Sequence, residues 1–297
     1  MGKWLIGIAA MAAAAGPACA QSLTAEHVLP SQADPQIRQF DLPNLILSRG
    51  KADRGAPLAI YLPGTGGRPD NVADLLQVIA RQGYRVIGLS YDDEPAVAQL
   101  CPRDPDPDCS LKFREVRTFG GSGGPVANPQ NEAIVPRLVS LLRYLDREHP
   151  GEGWGDYLDA SSQPAWGRIL VSGLSQGAGM AALIAKRFPV YRVVLFSSPW
   201  DFAGPDRRPA PWLSTRPATP PERWWAERHA KEKTTDLIAA AYRALGIPNN
   251  QILIFKGNLP PGRDDAQGNP YHGSTVRMAQ YLDQWRLMYG RAESGTR

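Results

Sequence analysis

Short apolar runs alternate with amphipathic stretches along the chain, and that rhythm predicts its elements. Residues 58–62 are apolar and end at Pro63-Gly64-Thr65-Gly66-Gly67, a strand running into a glycine loop. Residues 71–81 carry Val72, Leu75, Leu76 and Ile79 at helical spacing, and 84–91 read as the next strand. In 131–148, Ile134, Leu138, Leu141, Leu142 and Leu145 share one side of a helix that His149-Pro150-Gly151 stops. Strand 168–172, Ala-rich helix 176–188 and strand 192–197 follow. A weaker strand at 223–228, a helix at 235–245, a strand at 251–255 and a helix at 274–289 close the series. The residues before 58 read as a polar lead-in, 92–128 as mostly irregular, and 199–221 as a loop rich in Pro and Trp. Strands apolar throughout and alternating with helices predict an α/β fold, a mainly parallel central sheet with helices on both faces. No repeat or linker divides 21–297, so a single domain with a loop-rich cap is expected.

Composition narrows the class. The chain has 297 residues, 43% hydrophobic and 21% charged, which suits a globular protein with one large core. Its 33 basic and 29 acidic side chains leave a net charge of +4 without any Lys/Arg run, which argues against a nucleic-acid groove. Residues 1–20 are expected to be a secretory signal: Lys3, an apolar stretch at 4–15, and Ala18-Cys19-Ala20 as a small-x-small cleavage site. That stretch is too short to span a bilayer, as is every later one, so no membrane insertion is expected. Gly16 stands three residues before Cys19, where lipoprotein signals usually carry Leu. A mature chain starting near Gln21 would then work in the periplasm or outside the cell. Losing Cys19 leaves Cys101 and Cys109, an even count that in an exported protein suggests one disulfide rather than two free thiols. Two Cys with no nearby His are half of a zinc site, and no metal or cofactor motif is visible.

The sharpest chemical feature is Gly173-Leu174-Ser175-Gln176-Gly177, a G-x-S-x-G pattern between a strand and a helix. A serine there sits on a tight turn, small neighbours let strand and helix approach, and the helix N-terminus supplies free N–H groups. The element order, this turn and the 63–67 loop resemble the α/β-hydrolase superfamily over nearly the whole mature chain. GLSQGAG (173–179), SSPWD (197–201) and the Cys-bracketed loop are similar to features of exported bacterial serine-hydrolase-like proteins of poorly defined substrate.

The resemblance implies a Ser–acid–His triad in that chain order and an oxyanion hole of two backbone N–H groups. It makes Ser175 the nucleophile and gives one oxyanion donor to Gln176. The other donor falls to Thr65, with Gly66 as the alternative. Pro63 replaces the His that many members carry, which leaves the backbone donors intact. Of four histidines, His27 precedes the core, His149 ends a helix and His229 ends the weak strand. His272 follows the last strand, where the triad base hangs over the sheet's C-terminal edge.

For the acid, Glu232, the pair Asp264–Asp265, and Asp236 compete. The superfamily places a helix and a strand between acid and His, and 235–245 and 251–255 fill those slots behind Glu232. Between 265 and 272 there is room for neither. Gly120 to Gly124 (GGSGG) lacks the ending of a phosphate loop and is expected to be a flexible active-site loop. Trp200, Trp212, Trp224 and Trp225 are expected either to pack the cap or to wall an acyl or aromatic site. The expected activity is cofactor-free hydrolysis of a small-molecule or polymeric carboxylic ester through an acyl-enzyme. Peptide, lactone or polyester hydrolysis is the alternative chemistry, and a binding protein with an idle triad the alternative class.

Overall fold

The computed structural model describes residues 22–261 and 268–291. The expected signal at 1–20 and the Asp264–Asp265 pair lie outside the described residues. The sheet has eight strands: β1 (Thr24–Val28), β2 (Asn44–Ser48), β3 (Leu58–Leu62), β4 (Arg85–Gly88), β5 (Ile169–Leu174), β6 (Arg192–Phe196), β7 (Trp224–His229) and β8 (Ile252–Phe255). Their order is β1-β2-β4-β3-β5-β6-β7-β8. β1 and β2 pair antiparallel at one edge, β2 runs antiparallel to β4, and every other neighbouring pair is parallel.

Side chains alternate between the two faces of a strand, so an apolar run feeds two cores at once. From β3, Leu58, Ile60 and Leu62 enter one core, while Ala59 and Tyr61 enter the other. The first core is covered by α2 (Cys109–Phe119), α3 (Ile134–Glu148), α4 (Gln176–Arg187) and α5 (Thr235–Leu245), which bury Phe113, Leu138, Met180 and Ile238 there. The second is covered by α1 (Ala73–Arg81) and α6 (Leu282–Tyr289), which bury Leu75, Ile79, Trp285 and Met288. Both faces of the central strands β3 to β6 are therefore dry. β8 forms the far edge, with β7 as its one strand partner among the described residues, and its Ile254 is 45% exposed.

Three expectations need correction. The lead-in before 58 contains β1 and β2, whose antiparallel pairing hides no long apolar run: β1 exposes most of its residues. The segment 92–128 is less irregular than expected, because it holds α2, with eleven helical residues, and short helical turns at Val97–Leu100 and Cys101–Arg103. The closing helix is broken into a short Pro270–Ser274 turn of helix and α6, which leaves His272 near the sheet edge. Cys101 and Cys109 are joined by a disulfide with Cα atoms 5.5 Å apart, at the foot of α2. No helix among the described residues is long and apolar enough to cross a membrane.

Candidate active site

Ser175 lies between β5 and α4 with φ of 54° and ψ of −119°, a conformation that a non-glycine residue adopts only under constraint. The constraint is packing. A Cβ on Gly177 would stand 2.0 Å from the Leu62 carbonyl oxygen, so the start of α4 runs directly over the end of β3. A Cβ on Gly64 would stand 3.1 Å from Ser175 Cβ, which brings the glycine loop against the serine. Ser175 is partly exposed and opens into a cavity of about 340 Å³ lined also by Gly64, Thr65, Gln176, Trp200 and His272. These residues all follow the C-terminal ends of strands, where ligands of parallel sheets collect.

His272 Nδ1 is 2.7 Å from Glu232 Oε1. The Glu232 side chain is fully buried three residues past β7, and its Oε2 accepts a 2.8 Å hydrogen bond from the Ser197 hydroxyl. Asn269 Nδ2 and the Thr234 hydroxyl lie 3.3 Å from Oε1. Trp200 sets its ring edge-on to His272 at 5.2 Å and is itself tied to the Ser197 carbonyl by a 2.6 Å bond from Nε1. Asp236, by contrast, is exposed on the first turn of α5. Among the acids weighed, Glu232 is therefore the one the described residues bring to His272.

The other histidines are accounted for elsewhere. His229 is buried, stacked on Tyr271, and burial pushes its pKa down. Its Nδ1 accepts the Lys231 N–H at 3.0 Å and its Nε2 faces the Gly257 carbonyl at 2.9 Å, so it packs as a neutral ring. His27 and His149 face Asp70 and Glu26.

Behind the serine, Gln176 has two duties. Its side chain accepts from Val97 N–H at 2.8 Å and donates to the Asp93 and Pro95 carbonyls at 2.6 and 3.2 Å, fixing the loop that brings Ala96 and Val97 to the cavity. Its own carbonyl accepts a 2.8 Å bond from Arg114 Nη1. Arg114 is fully buried and paired with Asp201, to which Trp212 Nε1 also donates at 3.1 Å. The SSPWD stretch thus braces the site from two sides, Ser197 against Glu232 and Asp201 against the serine turn.

Two buried carboxyls have raised pKa values. Burial pushes Asp93 up to about 7, opposed by the N–H groups of Gly66 and Gly67 and assisted by Glu94 and Asp92. Burial, and then Glu232, pushes Glu227 well above the usual carboxylate range.

The tryptophans divide between both expectations. Trp200 walls the cavity, whereas Trp212 and Trp224 are buried packing residues bonded to Asp201 and the Thr219 carbonyl, and Trp225 packs on the second core. The 120–124 glycine run is not at the site: it follows α2 and lines a separate hollow with Asn128 and Gln130. Sequence reading also missed Ser197, Asn269, Arg68 and Arg277. SSPWD was the available signal for the first, while the others stand within five residues of the 63–67 loop or of His272 and carry no motif of their own.

An eight-stranded, mainly parallel sheet with a strained serine turn after its central strand is the architecture of the α/β-hydrolase fold. No protein-family model matches the chain, and no curated protein matches it in sequence. Among solved structures, it is similar to a dienelactone hydrolase-like promiscuous phosphotriesterase from metagenomic libraries. The identity is 11%, over 91% of this chain and 99% of that one, with a TM-score of 0.46. Carboxyl esterase 2 from the mycorrhizal fungus Tuber melanosporum is 12% identical, over 94% and 90%, with a TM-score of 0.44. The Bacillus cereus carboxylesterase is 14% identical, over 86% and 97%, with a TM-score of 0.38.

Proposed function

We propose that the protein is a serine hydrolase that cleaves a carboxylic ester through an acyl-enzyme, with Ser175, His272 and Glu232 as its triad. The reading rests on one observation above the rest: a histidine held at Nδ1 by a buried, doubly anchored carboxylate lines the same cavity as a serine on a strained turn. Glu232 fixes the tautomer with the proton on Nδ1, leaving Nε2 free to take a proton from the Ser175 hydroxyl as its oxygen attacks the carbonyl. The tetrahedral oxyanion is stabilised by the N–H groups of Gln176 and Thr65, both at the cavity wall. His272 then gives its proton to the leaving alcohol, and a water repeats the sequence to free the acid. The chain is proposed to be exported to the periplasm or beyond, a reading that the disulfide between Cys101 and Cys109 supports.

A fluorophosphonate probe should label Ser175 in the wild type and not in Ser175→Ala, and the same variant should lose about 10⁴-fold or more in kcat. Retention of a tenth of the esterase activity in Ser175→Ala would overturn the assignment.

A further inference from the structure

The wall of the Ser175 cavity is apolar over much of its extent, with Val72, Ala96, Val97, Leu174 and Trp200 contributing. Its cationic lining is Arg68 and Arg277. Arg68 follows the glycine loop directly, and Arg277 stands five residues beyond His272, so the two approach the serine from different segments. The Arg277 guanidinium folds back toward Gly273, where an added Cβ would stand 3.2 Å from its Nη1. It is thereby held beside the residue that follows His272.

Among the described residues, neither arginine forms an ion pair. No described Asp or Glu lines the cavity. Glu232 is buried against His272, Asp93 against the glycine loop, and Glu94 lies near Gly66 outside the lining. Two cations over a low-dielectric wall raise the local positive potential, and a guanidinium presents a planar fork that matches a carboxylate. A neutral ester leaves both without a partner.

We propose that the substrate is an ester carrying a free carboxylate in addition to its scissile carbonyl, recognised by Arg68 and Arg277. This specificity rests on the ester-hydrolase reading above. The carboxylate can belong to the acyl part or to the leaving group, and two matched pairs of substrates separate these: mono-4-nitrophenyl suberate against 4-nitrophenyl octanoate, and 4-acetoxybenzoate against 4-acetoxybenzamide.

At low ionic strength the wild type should prefer the anionic member of one pair by about tenfold or more in kcat/KM, equivalent to about 1.4 kcal/mol. The preference should shrink in roughly 0.5 M salt and fall towards unity in Arg277→Gln and Arg68→Gln. The ratio compares two substrates on one sample, so a loss of folded protein does not move it. Preference for the neutral member of both pairs overturns the proposal, as does an anionic preference that survives both substitutions. Fluorophosphonate labelling keeps the two readings apart: a labelled enzyme with neutral preference overturns the specificity alone, and an unlabelled, inactive one overturns both.

Discussion

Glu232 is one methylene longer than the aspartate that the resembling proteins usually carry at this place, and its surroundings use the extra length. One oxygen meets His272 at 2.7 Å while the other meets Ser197 at 2.8 Å, on opposite ends of a fully buried carboxylate. Glu232→Gln should therefore lower kcat by about 10³–10⁴-fold, the scale of losing the group that orients the histidine. Asp236→Asn should stay near wild type, because Asp236 is exposed on α5. Equal losses in the two variants, measured with 4-nitrophenyl acetate on samples of matched urea midpoint, would remove Glu232 from the role. Asp93 offers a second test at this scale. Its carboxyl is raised from 3.8 to about 7 in the folded protein by burial, so folding favours the protonated form. The folded state therefore loses stability as pH climbs from about 4 to about 7, where the unfolded chain has released a proton that the folded one retains. Asp93→Asn cannot titrate, and its urea midpoint should gain on the wild type across that interval and level off above it. A gap independent of pH would contradict the assignment.

Among the elements, legibility followed how openly burial is written in the residues. β3 and α5 match their expected bounds because every β3 residue is buried and α5 buries its Ile238, Ala241, Tyr242 and Leu245 at helical spacing. α2 was illegible for the opposite reason: within CSLKFREVRTF, Arg114 and Arg117 look like solvent-facing positions, yet both are buried and paired with Asp201 and Asp92. The same holds at the site. Ser175 and His272 could be read from a local motif and from chain order, whereas the bond from Ser197 to Glu232 spans 35 residues and exists only once β6 and β7 lie side by side. A buried pair such as Arg114 with Asp201 is costly to break because the survivor keeps its charge in a dry place. Asp201→Ala should thus destabilise by about 3–5 kcal/mol in urea melts, and the loss should be largely recovered when Arg114→Met is added. An additive double variant would mean that the pair is not coupled.

At the scale of the whole molecule, the two faces of the sheet are closed by six helices, and its edges differ. One edge is the antiparallel β1–β2 pair, whose outer strand carries Glu26 and His27 and exposes most of its residues. The other edge, β8, has β7 as its one strand partner among the described residues and shows Ile254 to solvent. A strand left open in this way can accept a neighbour's backbone as readily as its own, so it is where copies of the chain would meet at high concentration. Placing a cation at that point is the standard deterrent. Ile254→Lys should therefore raise the temperature at which light scattering begins while leaving kcat unchanged, since Ile254 is absent from the cavity lining. An unaltered scattering onset would show that the molecule clumps through some other surface. The open flank thus makes solution behaviour separable from catalysis: a residue governing crowding tolerance can be changed at the opposite end of the element order from the strand that starts the sheet, away from the cavity.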